Sequence, residues 1–157
     1  MQYVWQHRLW CSEDMVTNDG RRVRVLDPGM LNTDQGPDFF NAKVRIDGVL
    51  WAGNVEMHRR SSDWFRHHHQ DNAAYDSVIL HVVLENDAEV KLPNGAALQT
   101  VVMKIPQSVL DRYHDICNGV STTPLLPGQV PAYSCISCQA RLHEVPRMVI
   151  NDWLTSL

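Results

Sequence analysis

The stretch GPDFFNAKVRIDGVLWAGNVEMHRRSSDWFRHHHQDNAAYDSVILHVV, Gly36 to Val83, decides the fold. Successive side chains on a strand point to opposite faces. On residues 40–47 that puts Ala42, Val44 and Ile46 on one side and Asn41, Lys43 and Arg45 on the other. Asp47-Gly48 is a hairpin dipeptide, so the chain returns along residues 49–58. Val55 and Met57 then share one face, while Asn54, Glu56 and His58 share the other. Ser61 or Ser62 suits an N-cap with Asp63 at the positive helix end, and the helix is expected to run to about Tyr75. Val78 to Leu84 is nearly unbroken in apolar residues, which marks a buried strand. The order is strand, hairpin, strand, helix, strand.

Upstream, Val4, Trp5, Leu9 and Trp10 have helical spacing within residues 3–14, or form a short strand and a turn. Asn18-Asp19-Gly20 is a turn, and residues 21–26 alternate as a half-exposed strand. Residues 28–39 form a long polar loop, a kind that tends to be functional or mobile. Pro37 pins the backbone just before Asp38. Downstream come a short edge strand (Glu89 to Leu92), an Asn94-Gly95 turn, a strand over 98–105 and a helix over 107–117. A loop over 118–134 and a last helix from near Cys138 or Val145 follow. The expectation is an α/β core over residues 1–106, with a central mixed sheet of about five strands flanked by helices, and a helical C-terminal extension over 107–157.

The chain has 157 residues, 44% hydrophobic and 20% charged, with a net charge of -4. That suffices for one domain with a real core. No apolar run approaches the roughly 20 residues of a membrane span. MQYVWQHRLW lacks the basic-then-apolar order of a secretory signal, so the cytoplasm is the expected compartment and no membrane partner is expected. The acidic balance argues against a general nucleic-acid coat but not against a local basic groove. Eight histidines point toward metal or proton chemistry. Cys11, Cys117, Cys135 and Cys138 are expected as thiols in that compartment. Cys135 and Cys138 have zinc-ligand spacing, with Cys117 and His143 as further donors; chance spacing in a loop is the competing explanation.

Two carboxylates at neighbouring strand ends can hold a hard cation such as Mg²⁺ or Mn²⁺. Asp38 and Glu56 are the candidates, with His58 as base or further ligand. A bland arrangement competes: Asp38 caps a turn, and Glu56 pairs with Arg45 or Arg59 across the hairpin. Carboxylates within about 6 Å of each other and open to solvent favour the site, whereas a Glu56–arginine pair removes it. His58, His69 and His81, with Asp38 or Asp63, form an alternative transition-metal set. Against that set, His81 reads as a core histidine and His67-His68-His69 as a solvated helix face. On a continuous helix His67 and His69 lie roughly 200° apart and cannot grip one ion. Trp51 and Trp64 read as core or rim packing.

The element order, with Pro37-Asp38 before one strand and Glu56-Met57-His58 on the next, resembles the PD-(D/E)XK nuclease core over residues 3–84. His58 stands where that superfamily has lysine, and Glu13 or Asp14 would be the acid of its first helix. The resemblance implies a restriction-endonuclease-like fold, Mg²⁺ or Mn²⁺, and nucleic acid as partner, with His58 moving the metal preference toward Mn²⁺ or a later ion. A closer resemblance, over residues 3 to about 105, is to an uncharacterised bacterial domain-of-unknown-function family, on the strings LDPGMLNTDQGPDF, WAGNVEMHRRSSDW and HHHQDNAAYDSVILHVV. It implies that Asp38, Glu56, His58, Asp63, Trp64, His69 and His81 belong to a signature, and that the chain is the N-terminal part of a longer protein. Two functions are therefore expected from the sequence: a metal-dependent phosphodiesterase (nuclease), active or degenerate, or a non-catalytic binding or assembly domain.

Overall fold

The computed structural model describes residues 1–111 apart from 12, 14 and 93. Residues 1–2 and 12–104 form one compact unit, and residues 3–11 belong with the chain from 105 onward to a second. The expected helices beyond 111, the Cys117, Cys135, Cys138 and His143 set, and Asp14 lie outside the described residues.

The first unit is built on a mixed open sheet of six strands. These are β1 (Val23–Asp27), β2 (Met30–Leu31), β3 (Phe39–Ile46), β4 (Val49–Arg60), β5 (Val78–Glu85) and β6 (Thr100–Val102). The order is β1-β3-β4-β5-β6, with β2 also on β3. Strands β1 to β4 pair antiparallel, and β5 and β6 join in parallel. The Asp47-Gly48 hairpin forms as its residues dictate, with φ of 50° and 85°. Gly53 is required by a close approach: a Cβ there would meet Ile79 Cγ2 at 2.4 Å and the Ser77 carbonyl at 2.8 Å.

Register decides which side chains share a face. Arg24 lies opposite Arg45, Arg45 opposite Leu50, and Lys43 opposite Ala52. Irregularities fall in β3, where Asn41 takes φ 57°, and in β5, so β4 runs without an extra residue. Leu50, Ala52, Asn54, Glu56 and His58 therefore lie along one face. Ala42, Val44, Ile46, Val55, Leu80 and Val82 are fully buried. Trp64, Tyr75, Val78, Val90 and Leu98 form an apolar cluster with Leu92 against it.

Several elements depart from the sequence reading. The helix expected from Ser62 to Tyr75 stops after one turn, α2 (Asp63–Arg66), and two 3₁₀ turns follow, His69–Asp71 and Ala73–Tyr75. The break is at His68, which sits in the left-handed region at φ 57°, ψ 33°. Ser62 does not cap through its side chain; its hydroxyl donates to Asp87 Oδ2 at 2.8 Å. The expected helix over 3–14 is only α1 (Gln2–Gln6), since Arg8 already has φ 54°. The loop over 28–39 contains β2, which raises the strand count from the expected five to six. Glu89 to Leu92 makes a single bridge, Lys91 to Ala97, rather than a strand, and the strand expected over 98–105 shortens to β6. Among the described residues no helix is long and apolar enough to cross a membrane.

Candidate metal centre

Glu56 and His58 sit in the buried half of β4, and Asp38 directly precedes β3. The Asp38 N–H donates to Glu56 Oε2 at 3.1 Å, and the Met57 N–H donates to Asp38 Oδ2 at 2.9 Å. Each carboxylate thus accepts a main-chain N–H at or beside the other acid. Gln2 Nε2 donates to Asp38 Oδ1 at 2.5 Å, so both Asp38 oxygens already accept a hydrogen bond. Among the described residues no arginine pairs with Glu56. Its neighbours are imidazoles: Oε1 lies 3.4 Å from His58 Nε2 and 3.2 Å from His69 Nε2. Nor is it open to solvent, being only 5% exposed.

The turn at His68 creates the cluster. On an unbroken helix one of His67 and His69 would face away; the left-handed residue swings both toward His58. The sequence expectation that they cannot serve one ion fails because the segment does not stay helical. One ring nitrogen from each of His58, His67 and His69 lies within 4.8 Å of the other two. His58 Nε2 is 3.0 Å from His67 Nδ1, and His58 Nδ1 is 2.8 Å from His81 Nε2. In each contact one nitrogen carries the proton and the other accepts. His69 stacks on Tyr75 with centroids 3.8 Å apart, and the Tyr75 hydroxyl donates to the Gly36 carbonyl at 3.3 Å. Trp64 packs edge-on to His58 and His69.

Burial disfavours the charged forms throughout the cluster. Burial, then the Asp38 charge, pushes the Glu56 carboxyl up to about 9. Burial also raises Asp38. Burial, then His81 and the other imidazoles, drops His58 to about 3. Burial, then His67, drops His69 to about 4; burial, then His69, drops His81 to about 3. Uncharged imidazoles are the ligand form of histidine. His69 Nε2 is buried without an aligned hydrogen bond, although Glu56 Oε1 is 3.2 Å away. A tetrahedral centre with bonds of about 2.05 Å has donor–donor edges of about 3.3 Å. Three of the six edges, His58–His67 at 3.0 Å, His69–Glu56 at 3.2 Å and His58–Glu56 at 3.4 Å, lie near that value, and the nitrogens of the triad spread over up to 4.8 Å.

The remaining candidates fall in different places. Asp63 is engaged elsewhere, its Oδ2 accepting from the Arg60 N–H at 3.1 Å and its Oδ1 pairing with Arg66 at 2.9 Å, while its charge still acts on His58 and His81. Glu13 is exposed and outside α1. His81 is fully buried beneath His58 rather than bonded through its ring to a carbonyl. Trp64 is core, whereas Trp51 is 41% exposed. His67 was missed as a ligand; the run of three histidines was its one signal, and the left-handed turn at His68 that brings it in is not visible in the spacing.

Fold and cluster together define an α/β domain on a mixed sheet, with a histidine triad beside a buried carboxylate that can hold a metal ion. The chain belongs to the family described as Protein of unknown function (DUF2851), whose profile matches residues 1–157. No curated protein and no solved structure matches it.

Proposed function

We propose that this domain is a metal-dependent hydrolase of phosphodiesters, with its cation among His58, His67 and His69 and with Glu56 as the adjoining carboxylate. The observation that carries the reading is the triad of ring nitrogens within 4.8 Å, one of them buried without a hydrogen bond. Three imidazoles and a carboxylate suit zinc or manganese better than magnesium, which prefers oxygen donors and several waters. The two-carboxylate Mg²⁺ arrangement is correspondingly less favoured, because Asp38 accepts hydrogen bonds through both oxygens and Glu56 faces imidazoles.

A cation there lowers the pKa of water and offsets charge on an attacked phosphate. Glu56 would adjoin that cation as a carboxylate, where it could complete the donor set or, left uncoordinated, orient the water and accept its proton. Asp38 holds Glu56 in place through its N–H to Oε2. His81 holds the His58 ring, as the partner of a ligand histidine commonly does. His67 is exposed and gives the otherwise buried cluster a side open to solvent. The phosphodiester assignment draws support from the place of the acids, before β3 and within β4, with β5 parallel to β4.

One observation favours a second reading. Glu56, His58 and His69 are each at most 7% exposed, and four closed ligands are the habit of a structural zinc in a binding or assembly domain. Cleavage of bis(p-nitrophenyl) phosphate and of plasmid DNA with Mn²⁺ or Zn²⁺ separates the two. The hydrolase reading expects turnover that falls by about 10²–10⁴-fold in Glu56→Gln, the usual contribution of a general base. A stoichiometric metal with no turnover above the Glu56→Gln background supports the structural reading and removes the hydrolase.

A further inference from the structure

The face of β4 that carries Glu56 and His58 continues past Asn54 and Ala52 to Leu50. There the neighbouring strands add Lys43, Arg45 and Arg24 on the same side, each exposed. Among the described residues none of the ion pairs includes these three side chains. Asp27, opposite Lys43, accepts instead from the Gly29 N–H at 3.0 Å. A chain of net charge -4 thus keeps three cations outside any ion pair in one row, with the Asp27 carboxylate beside Lys43, on the face that leads to the metal cluster.

We propose that Arg24, Lys43 and Arg45 are a track for the phosphate backbone of a polynucleotide, which makes the substrate a nucleic-acid strand rather than a small phosphodiester. This rests on the hydrolase reading above. The charge complementarity is direct, and the spacing suits a polymer. At about 3.3 Å per residue, Ala52 lies about 13 Å and Leu50 about 20 Å along β4 from Glu56. At about 3.4 Å of rise per nucleotide of a duplex strand, that is about four to six steps from the cut. A small phosphodiester bound at Glu56 does not reach the row, whereas an oligonucleotide spans both. Leu50 and Ala52 give the row an uncharged floor.

The test is fluorescence anisotropy with a phosphorothioate 20-mer, which keeps its charge and resists cleavage. Salt is titrated for the wild type and for the triple variants Arg24→Gln/Lys43→Gln/Arg45→Gln and Arg24→Glu/Lys43→Glu/Arg45→Glu. Metal content and thermal melting of each protein are measured alongside. The expected result is a slope of log K against log salt shallower by about 2 on single strands, or nearly 3 on duplex, in the Gln variant. Binding at low salt falls about tenfold or more, while metal content and melting stay as in the wild type. Unchanged oligonucleotide binding in a folded, metal-loaded variant overturns the track and leaves the metal reading standing. Equal loss of binding to heparin and to the 20-mer overturns the polynucleotide assignment in favour of a general anion surface. The expected loss of binding and slope in the variants, with no metal in any of the proteins, supports the track and sinks the hydrolase reading.

Discussion

Glu56→Gln in the metal-free protein has an unusual expected sign. The wild-type carboxyl is buried and pushed to about 9, while its unfolded value is near 4.5. Above pH 4.5 the unfolded chain releases this proton and the folded chain keeps it, so each pH unit favours unfolding until the folded value is reached. At about 1.4 kcal/mol per unit, the wild type has lost about 3 kcal/mol by pH 7. The amide of the variant has no proton to release, and its oxygen can still accept the Asp38 N–H. In EDTA at pH 7 the variant should therefore be about 3 kcal/mol more stable, or about 10 °C higher in melting temperature for a chain of this size. At pH 5 the difference should shrink below about 1 kcal/mol. Urea unfolding at both pH values measures it. The difference reports Glu56 together with the Asp38 carboxyl that interacts with it. With Zn²⁺ the gap should narrow: ligand at 100 times its Kd stabilises the wild type by about 2.7 kcal/mol, and the variant by less. A variant less stable than the wild type in EDTA at pH 7, or a gap that ignores pH, would refute the reasoning.

The depressed values of His58, His69 and His81 give stability that is present above about 6.5 and lost as pH falls toward 4 and 3. At pH 5 unfolding of the metal-free protein should take up about two protons net, about three on the histidines less most of the one that folded Glu56 holds, read from the slope of stability against pH. His68→Val should cost about 1–2 kcal/mol, because a β-branched residue resists φ 57°, and metal affinity should fall with it. His81→Leu removes the partner of His58 Nδ1 but no proposed ligand; calorimetric Zn²⁺ affinity should drop about 10–100-fold. Gly53→Ala should destabilise by about 1–3 kcal/mol in urea, since its methyl meets Ile79 and the Ser77 carbonyl.

Much of the sheet was legible because period-two alternation and the Asp47-Gly48 turn are local signals, and both act on residues 40–58. β2 was not, since two residues carry no period and form only against Phe39 and Phe40. For the site, alternation correctly put Glu56 and His58 on one face, and Pro37 marked where Asp38 is held. What failed was the segment after Ser62. Its spacing reads as a helix, but that helix would send one of His67 and His69 into solvent. Burial of His69 between Glu56 and Tyr75 against the Trp64 cluster accompanies a left-handed turn at His68, and no propensity scale reports such a tertiary cause. His81 was read as inert core because its partner, His58, lies on another strand.

Cobalt substitution tests the metal centre most directly, since the d–d spectrum reports both stoichiometry and donor type. One Co²⁺ per chain is expected, with absorption typical of nitrogen and oxygen donors, lost in His58→Ala and His69→Ala and retained in Asp63→Ala. No binding by the folded wild type, or a spectrum unchanged when His58, His67 and His69 are all replaced by Ala, would contradict the account.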